Sequence, residues 1–158
     1  MDPITEDLFD LPGARQATVV IIRLVTAGIL GGVLGAERES MGKPAGLRTH
    51  ILVALGAALF VIGPYQGGLA EGDLGRIIQG VAAGIGFIGA GTILKVTHRE
   101  EIKGLTTAAS IWLTAAIGIA AAVGPLWVPF VCATCAWFVL YAFGKIESAI
   151  ARRARPTP

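Results

Sequence analysis

The sequence predicts an all-α fold: a polytopic membrane bundle of five transmembrane helices. Three observations carry this. Hydrophobic residues make up 54% of the 158 residues and charged residues only 15%, against roughly 25% charged in soluble proteins. The mean hydropathy is +0.69. The charges gather in short connections between apolar runs close to the ~20 residues that cross a bilayer, and Lys and Arg favour every second connection.

The first run, 17–37, follows an acidic polar segment, 1–16, that carries Asp2, Glu6, Asp7 and Asp10. That segment has no basic stretch ahead of an apolar one, so the first span is expected to act as its own insertion signal rather than as a cleaved leader. Further runs occupy 47–64, 76–94, 105–123 and 126–144, which together with the first form a membrane domain over 17–144; a short basic tail, 145–158, follows. Arg38, Lys43 and Arg48 flank the first connection, Lys95, Arg99 and Lys103 the third, and Lys145, Arg152, Arg153 and Arg155 follow the last span. Of the 13 Lys and Arg, only Arg15, Arg23 and Arg76 fall elsewhere. The positive-inside rule therefore puts the N-terminus outside, the C-terminus inside, and the tail in the cytoplasm.

Span three contains GIGFIGAG (84–91). Its first six residues fit G-x-G-x-x-G, but a dinucleotide loop needs a strand before it and an acidic residue roughly 20 positions on. Neither is present. The glycines instead read as helix-packing residues: Gly80, Gly84, Gly86, Gly89 and Gly91 in span three, and Gly28, Gly32 and Gly35 in span one, several at the small-x-x-x-small spacing that lets membrane helices close together. This predicts a central span three, closely paired with span one. Span five, WVPFVCATCAWFVLYAF, is bulky nearly all round and is expected at the lipid-facing periphery, with Trp127 and Tyr141 at aromatic-belt positions.

GLRTHILVALGAA (46–58) aligns without gaps to GLTTAASIWLTAA (104–116), and GVLGA (32–36) resembles GFIGA (86–90). A duplicated hairpin of parallel topology would produce this, with Thr49 equivalent to Thr107 and Arg48 to Thr106.

Ionisable residues inside a membrane are costly and mark candidate sites. Two groups stand out. At the inner side, Glu37 and Arg38 end span one and Arg48, Thr49 and His50 begin span two, drawn together by the short turn SMGKPAG. They form either a salt-bridge cluster that fixes the hairpin or an ion or phosphate site. Thr106, Thr107, Ser110 and Thr114 of span four fall within about 100° of one another on a helix, a hydroxyl stripe that either lines a polar path or bonds to backbone. Gln79, Arg76 and Thr92 of span three are its expected partners. At the outer side, Arg23 lies within span one. It either snorkels to the surface or pairs with Glu71, Asp73 or a lipid phosphate, with Asp73 and Arg76 completing a candidate outer site.

No nucleophile–His–acid constellation is present, so no catalytic residue is assigned. Cys132 and Cys135 sit in the lipid-facing span and read as inert thiols. No metal ligand set, cofactor site or nucleic-acid partner is expected. The partners implied are the lipid bilayer and either a membrane protein or a second copy of the chain.

Three motifs in order, LGAERE…GLRTHILVALGAALF (34–60), DLGRIIQGVAAGIGFIGAGTIL (73–94) and GLTTAASIWLTAAIGIAA (104–121), closely resemble the membrane domain of the MgtC/SapB family of bacterial proteins. Glu37, Arg38, Arg48, Thr49, Asp73, Gly86, Gly89, Gly91, Thr106 and Thr107 occupy its signature positions. The resemblance implies a multi-pass inner (plasma) membrane protein linked to growth at low magnesium and, in some members, to virulence and to restraint of the F-type ATP synthase. MgtC-type members also carry a soluble C-terminal domain, and a short member without one is expected here. The function implied is non-enzymatic, in magnesium or envelope homeostasis through membrane partners. The alternative is a small-solute or ion transporter with a polar path between spans one, three and four.

Overall fold

The computed structural model describes residues 13–68, 71–96 and 101–153. Five helices follow in chain order: α1, Ala14–Ser40; α2, Leu47–Gln66; α3, Leu74–Ala90, entered through a 3-10 turn at Glu71–Asp73; α4, Leu105–Val123; and α5, Trp127–Arg153. Two three-residue strands, β1 (Leu94–Val96) and β2 (Glu101–Lys103), pair antiparallel between α3 and α4. Within the described residues, α1, α2, α4 and α5 are long and apolar enough to cross a membrane, while α3 is apolar but has only 17 residues. At about 1.5 Å per residue that is roughly 25 Å, short of the ~30 Å hydrocarbon core.

Local chemistry sets the ends. α1 stops where Gly42 takes φ 65° and Pro44 follows, a residue that disfavours helix at the position before it. α2 carries Pro64 in its final turn, where the lost N–H bond falls at the helix's end rather than in its interior. Gly104, at φ 98°, turns the chain from β2 into α4. Span three ends at Ala90, short of the predicted 94. Beyond it Thr92 N–H and Ile93 N–H make tight bonds back to Gly89 and Ala90 carbonyls, the Thr92 hydroxyl donates to Gly89 O at 2.8 Å, and the chain leaves as a ribbon. The expected separate tail also differs: α5 runs on to Arg153, because KIESAIARR is itself good helix-forming sequence. The acidic segment up to residue 12 and the tail beyond residue 153 lie outside the described residues.

α4 is the centre. It packs against α1, α2, α3 and α5, and half of its apolar window is buried, against 17% for α5. Towards the α4–α5 connection, Ala27, Ala54, Ala58, Val61, Ile62, Ala121 and Ala122 form one apolar cluster; Leu30, Leu34, Ile117, Ala133 and Ala136 join α1, α4 and α5 in a second. The alanines matter because small side chains let helices approach. The closest approach is α2 to α4, where a Cβ on Gly118 would collide with the Ala54 carbonyl. His50 lies opposite Ser110 and Ala54 opposite Gly118, so α2 and α4 run parallel.

The packing expected of the glycines is corrected in one respect. Span one's glycines face α2, not α3: a Cβ on Gly35 would lie 2.7 Å from Leu47 Cα, on Gly32 3.4 Å from Ile51 and on Gly28 3.6 Å from Leu55. Gly80, Gly84 and Gly86 of α3 face open space, and Gly91 meets only its own preceding turn. Gly89 alone of the α3 set packs on a neighbour, Ala108, at 3.5 Å. α3 is therefore at the rim, with Phe87 84% exposed. Glycine spacing says that a face can be approached closely; it does not say by which helix. α5 is peripheral, as its bulk predicts, and both cysteines are free and exposed on it.

A buried polar node between three helices

The α1–α2 and α3–α4 connections and the C-terminal half of α5 lie at one end of the bundle, called here the basic end. Arg38 stands in the last turn of α1, on the helix face shared with Ala27 and Gly31, which looks towards α2 and α4. It is 4% exposed, and its Nη2 donates to Thr107 Oγ1 at 2.9 Å. Thr107 belongs to the first turn of α4. One turn on, the Ser110 hydroxyl donates to Thr107 O at 2.8 Å and lies 3.3 Å from His50 Nε2 of α2. His50 Nδ1 is 3.0 Å from Gly46 O. A carbonyl only accepts, so Nδ1 carries the proton. Thr114 closes the ladder by donating to Ser110 O at 2.8 Å. Arg38, His50, Thr107, Ser110 and Thr114 are all buried, and together they join α1, α2 and α4.

Glu37 is also buried but sits on the face of Leu30 and Leu34, the one packed towards α4 and α5. Neither of its carboxylate oxygens has a hydrogen-bond partner among the described residues, and neither does Arg38 Nε. Buried polar groups in folded proteins are nearly always partnered, so these three atoms distinguish this end of the molecule.

The other candidates are distributed as follows. Arg48 and Thr106 are exposed and Thr49 is half-buried; Thr106 sits on the edge of the stripe, turned out of the interior. The stripe's expected partners in span three are not there: Gln79 is exposed, Thr92 bonds to its own helix, and Arg76 lies 3.8 Å from Asp73 in an exposed pair. Arg38 and His50 take their place, because α4 turns its hydroxyls to α1 and α2. Any polar path therefore runs between α1, α2 and α4, not spans one, three and four, and it meets the Gly118–Ala54 contact just beyond Thr114.

The outer trio does not assemble. Arg23 neither reaches Asp73 nor snorkels free; its Nη1 donates to Ala121 O at 2.8 Å and Gly124 O at 3.0 Å. It caps the C-terminus of α4, where the helix dipole favours a cation. A backbone acceptor has no signature in a sequence, so this partner was not foreseeable. A second unforeseen role is that of Glu39, whose Oε2 accepts the Leu47 N–H at 2.8 Å and caps α2. Its signal was an acidic residue just before a helix that starts at an uncapped glycine. No group of three or more His, Cys, Asp or Glu able to hold a metal occurs among the described residues.

The MgtC family model matches residues 24–149, from the middle of α1 to near the end of α5. The chain belongs to the MgtC family. Among MgtC relatives, Protein SrpB of Synechococcus elongatus is 50% identical over 119 residues, covering 66% of this chain and 63% of that protein. The Putative magnesium transporter YhiD of Escherichia coli K12 is 50% identical over 109 residues, 63% of this chain and 48% of YhiD. Protein MgtC of Salmonella typhimurium is 40% identical over 104 residues, 66% of this chain and 43% of MgtC. The chain thus spans about half the length of the curated relatives it matches. No solved structure matches it. With its apolar helices, the family membership makes this a multi-pass membrane protein of the MgtC type.

Proposed function

We propose that this MgtC-family chain is a non-enzymatic protein of the bacterial inner membrane that serves growth under magnesium limitation or envelope homeostasis, with the buried polar node as its working part. All five helices cross the membrane, α3 with help from its flanking turns, and the basic end faces the cytoplasm. The supporting observation is the node itself: a charged side chain and a histidine are buried where three helices meet, so a change in binding or hydrogen bonding there alters how the helices pack. A membrane partner, or a second copy of the chain, would read that change at the lipid-facing surface. The recurrence of one contact in both hairpins, Gly35 against His50 and Gly89 against Ala108, at aligned positions, supports the duplicated-hairpin reading.

Complementation tests this. A deletion strain grown in limiting magnesium should be restored by the wild-type chain and by Cys132→Ser, but not by Arg38→Met or Ser110→Ala present in the membrane at equal amounts. Restoration by both node variants would remove the node from the function.

A second reading, ion or small-solute transport, is favoured by the unpartnered Glu37 carboxylate, buried at the same end of the bundle as the hydroxyl ladder. Purified chain in liposomes should then pass magnesium, protons or another ion, with flux lost in Thr107→Val. A broad panel without flux would leave the first reading alone.

A further inference from the structure

The two parallel helices α2 and α4 both begin at the basic end, each after a glycine with no side-chain cap of its own. A helix start leaves N–H groups unpaired and carries the positive end of the dipole. At α2 the chain supplies an anion: Glu39 Oε2 accepts the Leu47 N–H. At α4 it does not. Continuing the register that aligns GVLGA with GFIGA, the residue equivalent to Glu39 is Ile93. Among the described residues, the N–H groups of Leu105, Thr106 and Thr107 have no acceptor; the first bond of the helix is Ala108 N–H to Gly104 O.

What lies against this start is a cation. The Arg38 guanidinium, in a residue only 4% exposed, is held at Thr107 Oγ1, and its Nε–H is buried without a partner. An arginine at the positive end of a helix is electrostatically unfavourable on its own. Combined with free backbone N–H groups and an unused guanidinium donor, the arrangement is complementary to an oxyanion. The exposed Thr106 and the half-exposed Gly104 border its mouth. Among the described residues, Glu37 is the one buried group that opposes an anion here, and it is turned to the α5 side.

We propose that the first turn of α4 and Arg38 form a phosphoryl-binding site on the basic end, for a tetrahedral phosphate oxyanion presented either by an anionic lipid headgroup or by free phosphate. Several diverging donors suit a tetrahedral phosphoryl group, whose oxygens point in different directions out of any one plane, better than a planar carboxylate. This names the ligand class of the node and rests on reading the node as the working part. The complementation assay above tests that reading in cells; the binding measurement below is made on purified protein, so the two can fail separately.

The full chain is placed in dodecylmaltoside micelles, which carry no phosphate, and hydrogen exchange is followed at the amides of residues 105–107. Inorganic phosphate is compared with chloride at equal ionic strength, and in a second arm phosphatidylglycerol is added to the micelles with no inorganic phosphate. Protection by phosphate alone assigns free phosphate; protection by phosphatidylglycerol alone assigns the headgroup. Arg38→Lys should weaken the effect by about tenfold, the scale of one charge-assisted hydrogen bond. Thr106→Asp, an exposed substitution that places a carboxylate over the same N–H groups, should abolish the response while leaving the fold intact. Glu37→Gln should strengthen it. Equal protection by chloride, no protection in either arm, or an undiminished response in Thr106→Asp would overturn the proposal.

Discussion

Helix α1 carries a buried or half-buried arginine near each end, and each meets an end of α4. Arg23 meets the C-terminus and gives hydrogen bonds to two carbonyls there. Arg38 meets the N-terminus, makes one bond to a hydroxyl, and keeps an unpartnered Nε beside an unpartnered carboxylate. The same residue type in the same helix pair is thus used in two ways. At the Arg23 end, charge and dipole agree and the surrounding core is alanine-packed, which is what a structural clamp requires. At the Arg38 end, an arginine in the last turn of α1 faces the positive start of α4, and polar atoms are left unsatisfied. In the reading proposed above, the first end serves stability and the second serves binding.

The largest effect should come from the contact that separates the two ends. Gly118→Val drives a branched side chain into the Ala54 carbonyl. Overpacking usually costs about 1–3 kcal/mol, and backbone that cannot move aside puts this case at the upper end or beyond. Thermal unfolding in detergent should show a strongly lowered Tm or no folded protein. Next come the arginines themselves. Arg23→Met removes two charge-assisted bonds, each worth about 1.5–3 kcal/mol when intact, and should lower stability by roughly 2–4 kcal/mol. Arg38→Met also removes an unsatisfied buried donor, so its net cost should be smaller, about 1 kcal/mol on the same scale. Equal losses would erase the distinction between the ends.

Within α4, Thr107→Val leaves the Arg38 guanidinium without its acceptor and should cost about 1–3 kcal/mol, whereas Thr106→Val, at an exposed position, should stay within ~0.5 kcal/mol. The smallest destabilisation is expected at the rim. Gly84→Ala faces open space and replaces glycine in a helix by alanine, so it should be neutral or stabilising by up to about 1 kcal/mol. Marked destabilisation there would mean that another helix covers α3.

The helices and the placement of Arg38 and His50 at one end of the bundle were legible because hydropathy marks spans and the short connection from Met41 to Gly46 leaves their ends no room to separate. The Thr107–Ser110–Thr114 stripe was legible from helical angle alone. What escaped depended on tertiary choice or on backbone. Nothing in Gly80 or Gly84 names a neighbour, so α3 was placed at the centre when α4 belongs there. Arg23 finds carbonyls, which every residue carries. The β1–β2 ribbon was hidden because Leu94–Val96 reads as the end of an apolar run, and only the glycines and Thr92 before it mark the break.

One pair of measurements on one variant tests the division between the ends most directly: Arg38→Met, assayed for Tm in detergent and for growth of the deletion strain at limiting magnesium with membrane abundance matched to wild type. The account predicts a Tm close to wild type and growth that is not restored. Normal growth, or a loss of stability as large as that of Arg23→Met, would contradict it.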